Sequence, residues 1–306
     1  MSHAPAPPQF TVPADASRLP MTLPALAERK RRHEPIVMIT AYDFPSARAA
    51  EAAGVDVVLV GDSGAMTVLG YPSTIPVSTD ELLMLARAVR RGLRTPLLVG
   101  DLPFGSYESS DEQAIQTAMR FVKEAGCDAV KLERGNETSV ARARAIVLAG
   151  IPVMGHVGLT PQTSTALGGY RAQGRTTGAA TRIAREALAL QEAGCFSIVF
   201  EAIPAAVSTE LMAHMRVPVI GIGAGPATDG QVLVFHDLLG IREGQGARFV
   251  QRYADLQAAM NEGVAAFVAD VRDRSYPREE HAYSIEPAEL AQFRTELTAV
   301  SQVQDP

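Results

Sequence analysis

The chain has 306 residues, 47% hydrophobic and 20% charged, which is long and apolar enough for a sizeable core and excludes a disordered or collagen-like chain. Lys and Arg total 28 against 34 Asp and Glu, a formal net charge of -6, so nucleic acid is not an expected partner. Two cysteines, Cys127 and Cys195, cannot build a disulfide framework; they read as buried thiols of a protein in a reducing compartment, here the cytoplasm. No apolar run approaches the ~20 residues that span a bilayer, so no membrane role is expected.

In chain order, MSHAPAPPQFTVPADASRLP carries prolines where a secretory signal would need an apolar stretch, and residues 1–34 read as a flexible arm. Apolar runs then follow at IVMIT (36–40), VVLVGD (57–62), PLLVGD (96–101), AVKLE (129–133), PVMGH (152–156), SIVFE (197–201), PVIGIG (218–223) and QVLVF (231–235). Several are preceded by a helix ending in Ala-Gly, as at Gly54, Gly126, Gly150 and Gly194, where glycine tolerates the left-handed position past a helix end. Ser78-x-x-Glu81 and Ser109-x-x-Glu112 read as capping boxes that open two of the helices.

The runs are nearly continuous and β-branched rather than alternating, as parallel strands covered on both faces require. Eight of them separated by helices predict a (β/α)8 barrel over residues 35–272, with a doubly wound open sheet as the alternative. Residues 273–306 form a C-terminal extension with one helix at 286–299.

In either fold the active site lies at the C-terminal ends of the strands. Four runs end there in a carboxylate, Asp62, Asp101, Glu133 and Glu201, and a fifth ends in His156. One such acid reads equally well as a helix cap. Four from separate strands converge on one mouth, where an unpaired buried charge is costly. Convergent carboxylates need a cation, and an all-oxygen set favours a hard ion such as Mg²⁺. Lys131 lies two residues before Glu133, on the same side of a strand, and suits a substrate anion or a developing enolate. Gly221-Ile222-Gly223-Ala224-Gly225 fails the dinucleotide spacing, because Pro226 stands where the third glycine would be; close backbone approach at the pocket rim is the better reading. No H-E-x-x-H, G-x-S-x-G or P-loop motif is present.

The ordered set ITAYDFPSA (39–47), VDVVLVGDSGAMTVLGYPST (55–74), PLLVGDLPFGSY (96–107), VKLE (130–133), GHVGLTPQ (155–162), GGYRAQGR (168–175), FEAIP (200–204) and GIGAG…DGQVLVFHDLLG (221–240) resembles the ketopantoate hydroxymethyltransferase family. The resemblance implies a TIM barrel of the phosphoenolpyruvate/pyruvate class, assembled as a homo-oligomer, often a decamer. It implies the conversion of 3-methyl-2-oxobutanoate, 5,10-methylenetetrahydrofolate and water to 2-dehydropantoate and tetrahydrofolate, on the way to pantothenate and coenzyme A, through a Mg-bound enolate. By motif, Asp62, Asp101 and Glu133 would serve the metal, with Glu133 acting through water. Asp62, Ser63, Asp101 and Lys131 would contact the keto acid, Glu201 would be the general base, and His156 would support them. The family often has two glycines after the glutamate of the fourth strand, where this chain has Arg134-Gly135. A Mg-dependent 2-oxo acid carbon–carbon lyase on the same barrel is the competing reading. Such an enzyme is expected to use a cysteine or other acid on a mobile loop, and both cysteines here fall before strands, at the opposite end of the barrel, which weakens that reading.

Overall fold

The computed structural model describes residues 18–302 except 164, 166–168, 170, 243 and 245. Eight strands run in chain order: β1 (Ile36–Thr40), β2 (Val57–Val60), β3 (Leu97–Asp101), β4 (Ala129–Lys131), β5 (Val153–Gly158), β6 (Ser197–Glu201), β7 (Val219–Ile222) and β8 (Gly230–Leu233). Each pairs in parallel with the next, and β8 pairs back to β1, which closes the barrel and decides against the open sheet. At the closing seam Gly230 lies opposite Ile36. A Cβ there would come within 2.3 Å of the Ile36 carbonyl oxygen, so this register needs a glycine.

Around the barrel lie α2 (Phe44–Ala53), α4 (Thr79–Gly92), α5 (Asp111–Ala125), α6 (Glu137–Leu148), α7 (Thr177–Glu192) and α8 (Ala205–Met212), with the short α3 (Gly64–Thr67) and α9 (Phe235–Leu239). The expected box at Ser78 is present: its hydroxyl accepts from the Glu81 amide, and the Glu81 carboxylate accepts from the Ser78 amide at 2.8 Å. The box expected at Ser109 is not formed. Ser110 caps α5 instead, accepting from the Gln113 amide at 3.0 Å, while the Ser109 hydroxyl donates to the Gln113 side chain. Serines on both sides of a helix start leave the choice of cap to the backbone geometry, and only Ser110 sits at the extended position before the first turn. Gly126 ends α5 at φ 69° in the expected left-handed conformation.

The barrel interior is filled by Met38, Leu59, Val99, Met154, Val199 and Val232. Its N-terminal end is closed by α1 (Leu23–Arg31), which lies within the stretch expected to be a flexible arm. Leu26 of α1 is wholly buried in the interior cluster. Arg29 pairs with Asp56 at 3.0 Å and Lys30 with Asp229 at 2.8 Å, both acids standing at strand entries. The arm is thus corrected for residues 18–34: one buried leucine and two ion pairs tie this segment to the barrel, signals too sparse to show as periodicity. Residues 1–17 lie outside the described residues.

A second compact unit begins at Asp255, so the expected boundary at 272 falls earlier. It holds α10 (Leu256–Arg272), which the sequence reading had placed with the barrel, and α11 (Pro287–Gln302), the helix expected at 286–299. No residue of α10 is buried.

Candidate active site

All the predicted residues meet at the C-terminal end of the barrel. Asp62, Ser63, Asp101, Lys131, Glu133, His156 and Glu201 line one cavity of about 100 Å³, whose apolar walls include Leu59, Val199 and Val232. Asp101 ends β3, Lys131 ends β4 and Glu201 ends β6, whereas His156 lies inside β5. Asp62 and Glu133 follow strands that stop at Val60 and Lys131, short of the expected ends.

Lys131 is 3% exposed, which rules out a solvated strand end. Its Nζ donates to both oxygens of Asp101, at 2.8 and 2.9 Å, and lies 3.5 Å from Glu133 Oε1. The Asp62 backbone N–H donates to Asp101 Oδ2 at 3.1 Å, which brings the β2 and β3 acids side by side. His156 bridges the two glutamates, with Nδ1 3.3 Å from Glu133 and Nε2 3.2 Å from Glu201. These are ion-pair distances; neither ring nitrogen is aligned well enough for a hydrogen bond. Ser63 shares a 2.8 Å hydrogen bond with the buried Tyr42 hydroxyl.

The charges do not balance locally. Burial pushes the Asp62 carboxyl well above the usual range, and the neighbouring charges of Asp101 and Glu133 push it further. Burial also raises Asp101, against the pull of Lys131. For Glu133, Lys131 and His156 outweigh burial and hold the carboxyl below its ordinary value. Burial and Lys131 would lower His156, but Glu133 and Glu201 overcome them and lift it to about 9. Three buried carboxylates thus surround one ammonium, and Asp62 is the acid left without a cation.

Among the described residues, no three His, Cys, Asp or Glu side chains could by themselves hold a metal ion. Lys131 fills the space between Asp101 and Glu133. The donor set therefore fits Mg²⁺ bound by one or two carboxylates, with water and substrate oxygens completing its shell. Asp62 and Asp101 are the adjacent pair that suits direct contact, and Glu133 stands behind Lys131, where a water would intervene.

Two supporting residues escaped the sequence reading. The buried Gln162 amide donates to Asp62 Oδ2 at 3.1 Å and to the Leu102 carbonyl at 3.0 Å, and the Gln162 backbone N–H donates to Glu133 Oε2 at 3.0 Å. Its side-chain oxygen accepts from the Tyr107 hydroxyl at 2.7 Å. Gln162 thus ties the β2 acid, 100 positions away in the chain, to the β4 acid, 29 positions away, a relation with no local signal. Arg134, at the departure from the family pattern, adopts φ 73°, a left-handed backbone that explains a glycine preference there. Its amide donates to the His156 carbonyl at 2.9 Å, so the arginine keeps the loop that carries Glu133.

The family model for ketopantoate hydroxymethyltransferase matches residues 20–279. The chain belongs to the ketopantoate hydroxymethyltransferase family. The 3-methyl-2-oxobutanoate hydroxymethyltransferase of Acidothermus cellulolyticus is 53% identical over 263 residues, covering 86% of this chain and 96% of the relative. The mitochondrial 3-methyl-2-oxobutanoate hydroxymethyltransferase 1 of Arabidopsis thaliana is 48% identical, covering 90% of this chain and 82% of the relative. Among solved structures, 2,3-dimethylmalate lyase, a PEP mutase/isocitrate lyase superfamily member, matches with a TM-score of 0.54 at 14% identity, over 92% of this chain and 98% of that one. At that identity the likeness speaks for the fold alone.

Proposed function

We propose that this protein transfers a one-carbon unit from 5,10-methylenetetrahydrofolate to carbon 3 of 3-methyl-2-oxobutanoate, taking up water and giving 2-dehydropantoate and tetrahydrofolate. The observation that carries the reading is the position of Glu201. It lines both the small cavity and a larger neighbouring one of about 810 Å³, so its carboxylate stands where a small acid and a bulky donor would meet.

The keto acid enters the small cavity with its carboxylate and keto oxygens towards Asp62, Asp101 and Lys131, and with its isopropyl carbon towards Glu201. Asp62 and Asp101, with Glu133 through water, are the residues to hold a Mg²⁺. When bound, that ion withdraws electron density from the substrate oxygens as a Lewis acid. Lys131 and Ser63 contact the substrate oxygens, and the buried ammonium offsets negative charge as the enolate develops. Glu201 removes the hydrogen on carbon 3. His156, held between Glu133 and Glu201, orients that carboxylate and shields it from the charge of Glu133. Water frees the one-carbon unit from the folate nitrogens at the aldehyde level, the enolate carbon adds to it, and the alkoxide so formed takes the proton held by Glu201 to give the hydroxymethyl group.

A cytoplasmic setting is supported by the two unpaired buried thiols, which burial pushes up to about 12. A homo-oligomer is supported by α10, which leaves Val264 and Phe267 64% and 56% exposed.

The test is Glu201→Gln, which keeps size and removes the base. Hydroxymethyl transfer and hydrogen exchange at carbon 3 in D₂O without folate should fall together, by about 10² to 10⁴. Exchange at the wild-type rate in a variant that no longer transfers would remove Glu201 from enolate formation.

A further inference from the structure

A buried hydroxyl beside the keto-acid cavity has no part in the chemistry above. Tyr42, just past β1, is 1% exposed, and its ring packs so closely on α3 that a Cβ on Gly64 would come within 2.8 Å of it. The tyrosine hydroxyl and Ser63 Oγ share a 2.8 Å hydrogen bond. Ser63 and Thr40 line the keto-acid cavity, and Tyr42 stands behind them. A buried hydroxyl is costly unless paired, so its partner and the direction of the bond both carry information.

The neighbours set that direction. Thr40 Oγ1 accepts the Phe235 N–H at 2.9 Å, which leaves the Thr40 hydrogen for the Tyr42 oxygen. Burial pushes the tyrosine up to about 12, against the pull of the Ser63 and Thr40 hydroxyls, so it keeps a hydrogen to donate. A phenol is a stronger donor than an aliphatic alcohol and a weaker acceptor. Tyr42 therefore donates to Ser63, and the serine hydrogen is left to point elsewhere. Ser63 is held on two further sides: the Thr67 hydroxyl donates to its carbonyl at 3.1 Å, and a Cβ on Gly61 would meet its Oγ at 3.0 Å. The cavity is the open side.

We propose that Tyr42 is a positioning residue of the keto-acid site: by donating to Ser63 Oγ it turns the serine hydrogen into the cavity, towards the anionic oxygens of the substrate. The inference rests on the function proposed above. The need is electrostatic. A 2-oxo acid brings a negative carboxylate to a cavity already lined by Asp62, Asp101, Glu133 and Glu201. A serine free to rotate presents its lone pairs to that anion as readily as its hydrogen. With Tyr42 in place the donor orientation is set before the substrate arrives, and less rotational freedom is lost on binding. The donors run in one sense, from the Phe235 N–H to Thr40, Tyr42 and Ser63, joining the exit ends of β8, β1 and β2. Each hydroxyl in such a chain polarises the next.

The experiment is a double-mutant cycle on the wild type, Tyr42→Phe, Ser63→Ala and the two changes combined. Binding of 3-methyl-2-oxobutanoate is measured by titration calorimetry with Mg²⁺ and without folate. Carbon 3 exchange in D₂O is followed alongside, below the lowest melting midpoint of the four proteins. Tyr42→Phe keeps the ring that fills the core and should weaken binding about three- to tenfold, with exchange at saturation within about twofold of the wild type. Ser63→Ala should weaken binding at least as much. In the Ser63→Ala background the Tyr42 change should add nothing, because a residue that acts through the serine then has nothing to position. A Tyr42→Phe protein that binds as the wild type does, or that loses the same factor with and without Ser63, overturns the assignment. So does a fall in saturated exchange with binding unchanged. If the combined variant melts too early to measure, the split between binding and saturated exchange in Tyr42→Phe decides. A wild type that neither binds nor exchanges the keto acid overturns the parent reading and this one with it. Binding and exchange in the wild type with no effect of Tyr42→Phe overturn this one alone.

Discussion

Replacing Lys131 with methionine tests the charge arrangement at its centre. Methionine keeps the unbranched stem and most of the buried volume while removing the ammonium that donates at 2.8 and 2.9 Å to Asp101 and lies 3.5 Å from Glu133. What remains is Asp62, Asp101 and Glu133, all nearly fully buried, with only His156 nearby as a cation. Breaking a buried pair by deleting one partner costs about 3 to 5 kcal/mol, because the other charge stays buried. For a chain of this size each kcal/mol moves the midpoint by roughly 2 to 4 °C, so Tm in EDTA at neutral pH should fall by on the order of 10 °C. The double variant Lys131→Met, Asp101→Asn removes the stranded charge as well, and should recover part of that loss. The assay is thermal or denaturant unfolding of the three proteins side by side. A single variant that melts within about 1 °C of the wild type would show that the ammonium does not compensate these carboxylates. The charge account of the site would then be wrong.

Three further outcomes follow from the same geometry. EDTA should abolish hydroxymethyl transfer and Mg²⁺ should restore it, and added Mg²⁺ should raise Tm in the wild type but far less in Asp62→Ala, because a ligand that binds only the folded state stabilises it; full activity after exhaustive chelation would exclude the metal. Gln162→Leu leaves the Asp62 carboxylate and the Leu102 carbonyl without their Gln162 donor and the Tyr107 hydroxyl without its acceptor, so it should cost about 1 to 3 kcal/mol or more and lower kcat together with Mg²⁺ affinity, read by unfolding and by metal titration. Away from the site, the Glu51 carboxylate at the end of α2 accepts from the Arg94 and Thr95 amides and the Thr95 hydroxyl, at 2.7, 3.1 and 2.9 Å; burial would raise it, but these bonds outweigh burial and hold it below the ordinary carboxylate value. Its contribution is therefore present above the unfolded carboxylate pKa and lost as pH falls through the lower folded value, so the stability gap between wild type and Glu51→Gln should be full at pH 7 and close in acid.

The barrel was legible because its signal is local and repeated. Each buried parallel strand shows as a short continuous apolar run, and helix ends such as Gly54 and Gly126 carry their own marker. The strand-end acids were legible for a related reason: a carboxylate directly after an apolar run conflicts with packing, and the conflict recurs at Asp62, Asp101, Glu133 and Glu201. Gln162 and Tyr107 produce no such conflict, being neutral residues in a loop whose partners lie 100 and 55 positions away. Ring closure itself was not legible, since the same runs suit an open sheet and only the contact of β8 with β1 separates the two. The plug helix α1 was hidden by composition: its one wholly buried residue, Leu26, is set among charged neighbours that pair with the acids at the strand entries.

The two ends of the barrel show why acids at strand ends can mean opposite things. At the entry end, Asp56 and Asp229 each meet a cation from α1 and also accept a backbone N–H, Val37 to Asp56 and Val219 to Asp229, both at 2.8 to 2.9 Å. Charge and hydrogen bonding are satisfied there by the chain alone, which marks a structural role. At the exit end Asp101 has Lys131, Glu133 has Lys131 and His156, and Asp62 has an amide from Gln162 but no cation. Acids whose charge the chain's own cations do not balance, clustered at a cavity, mark a binding role rather than a structural one. The identity of the residue type does not separate the two cases; the local charge balance does, and the proposed metal and keto acid belong with the unbalanced exit end.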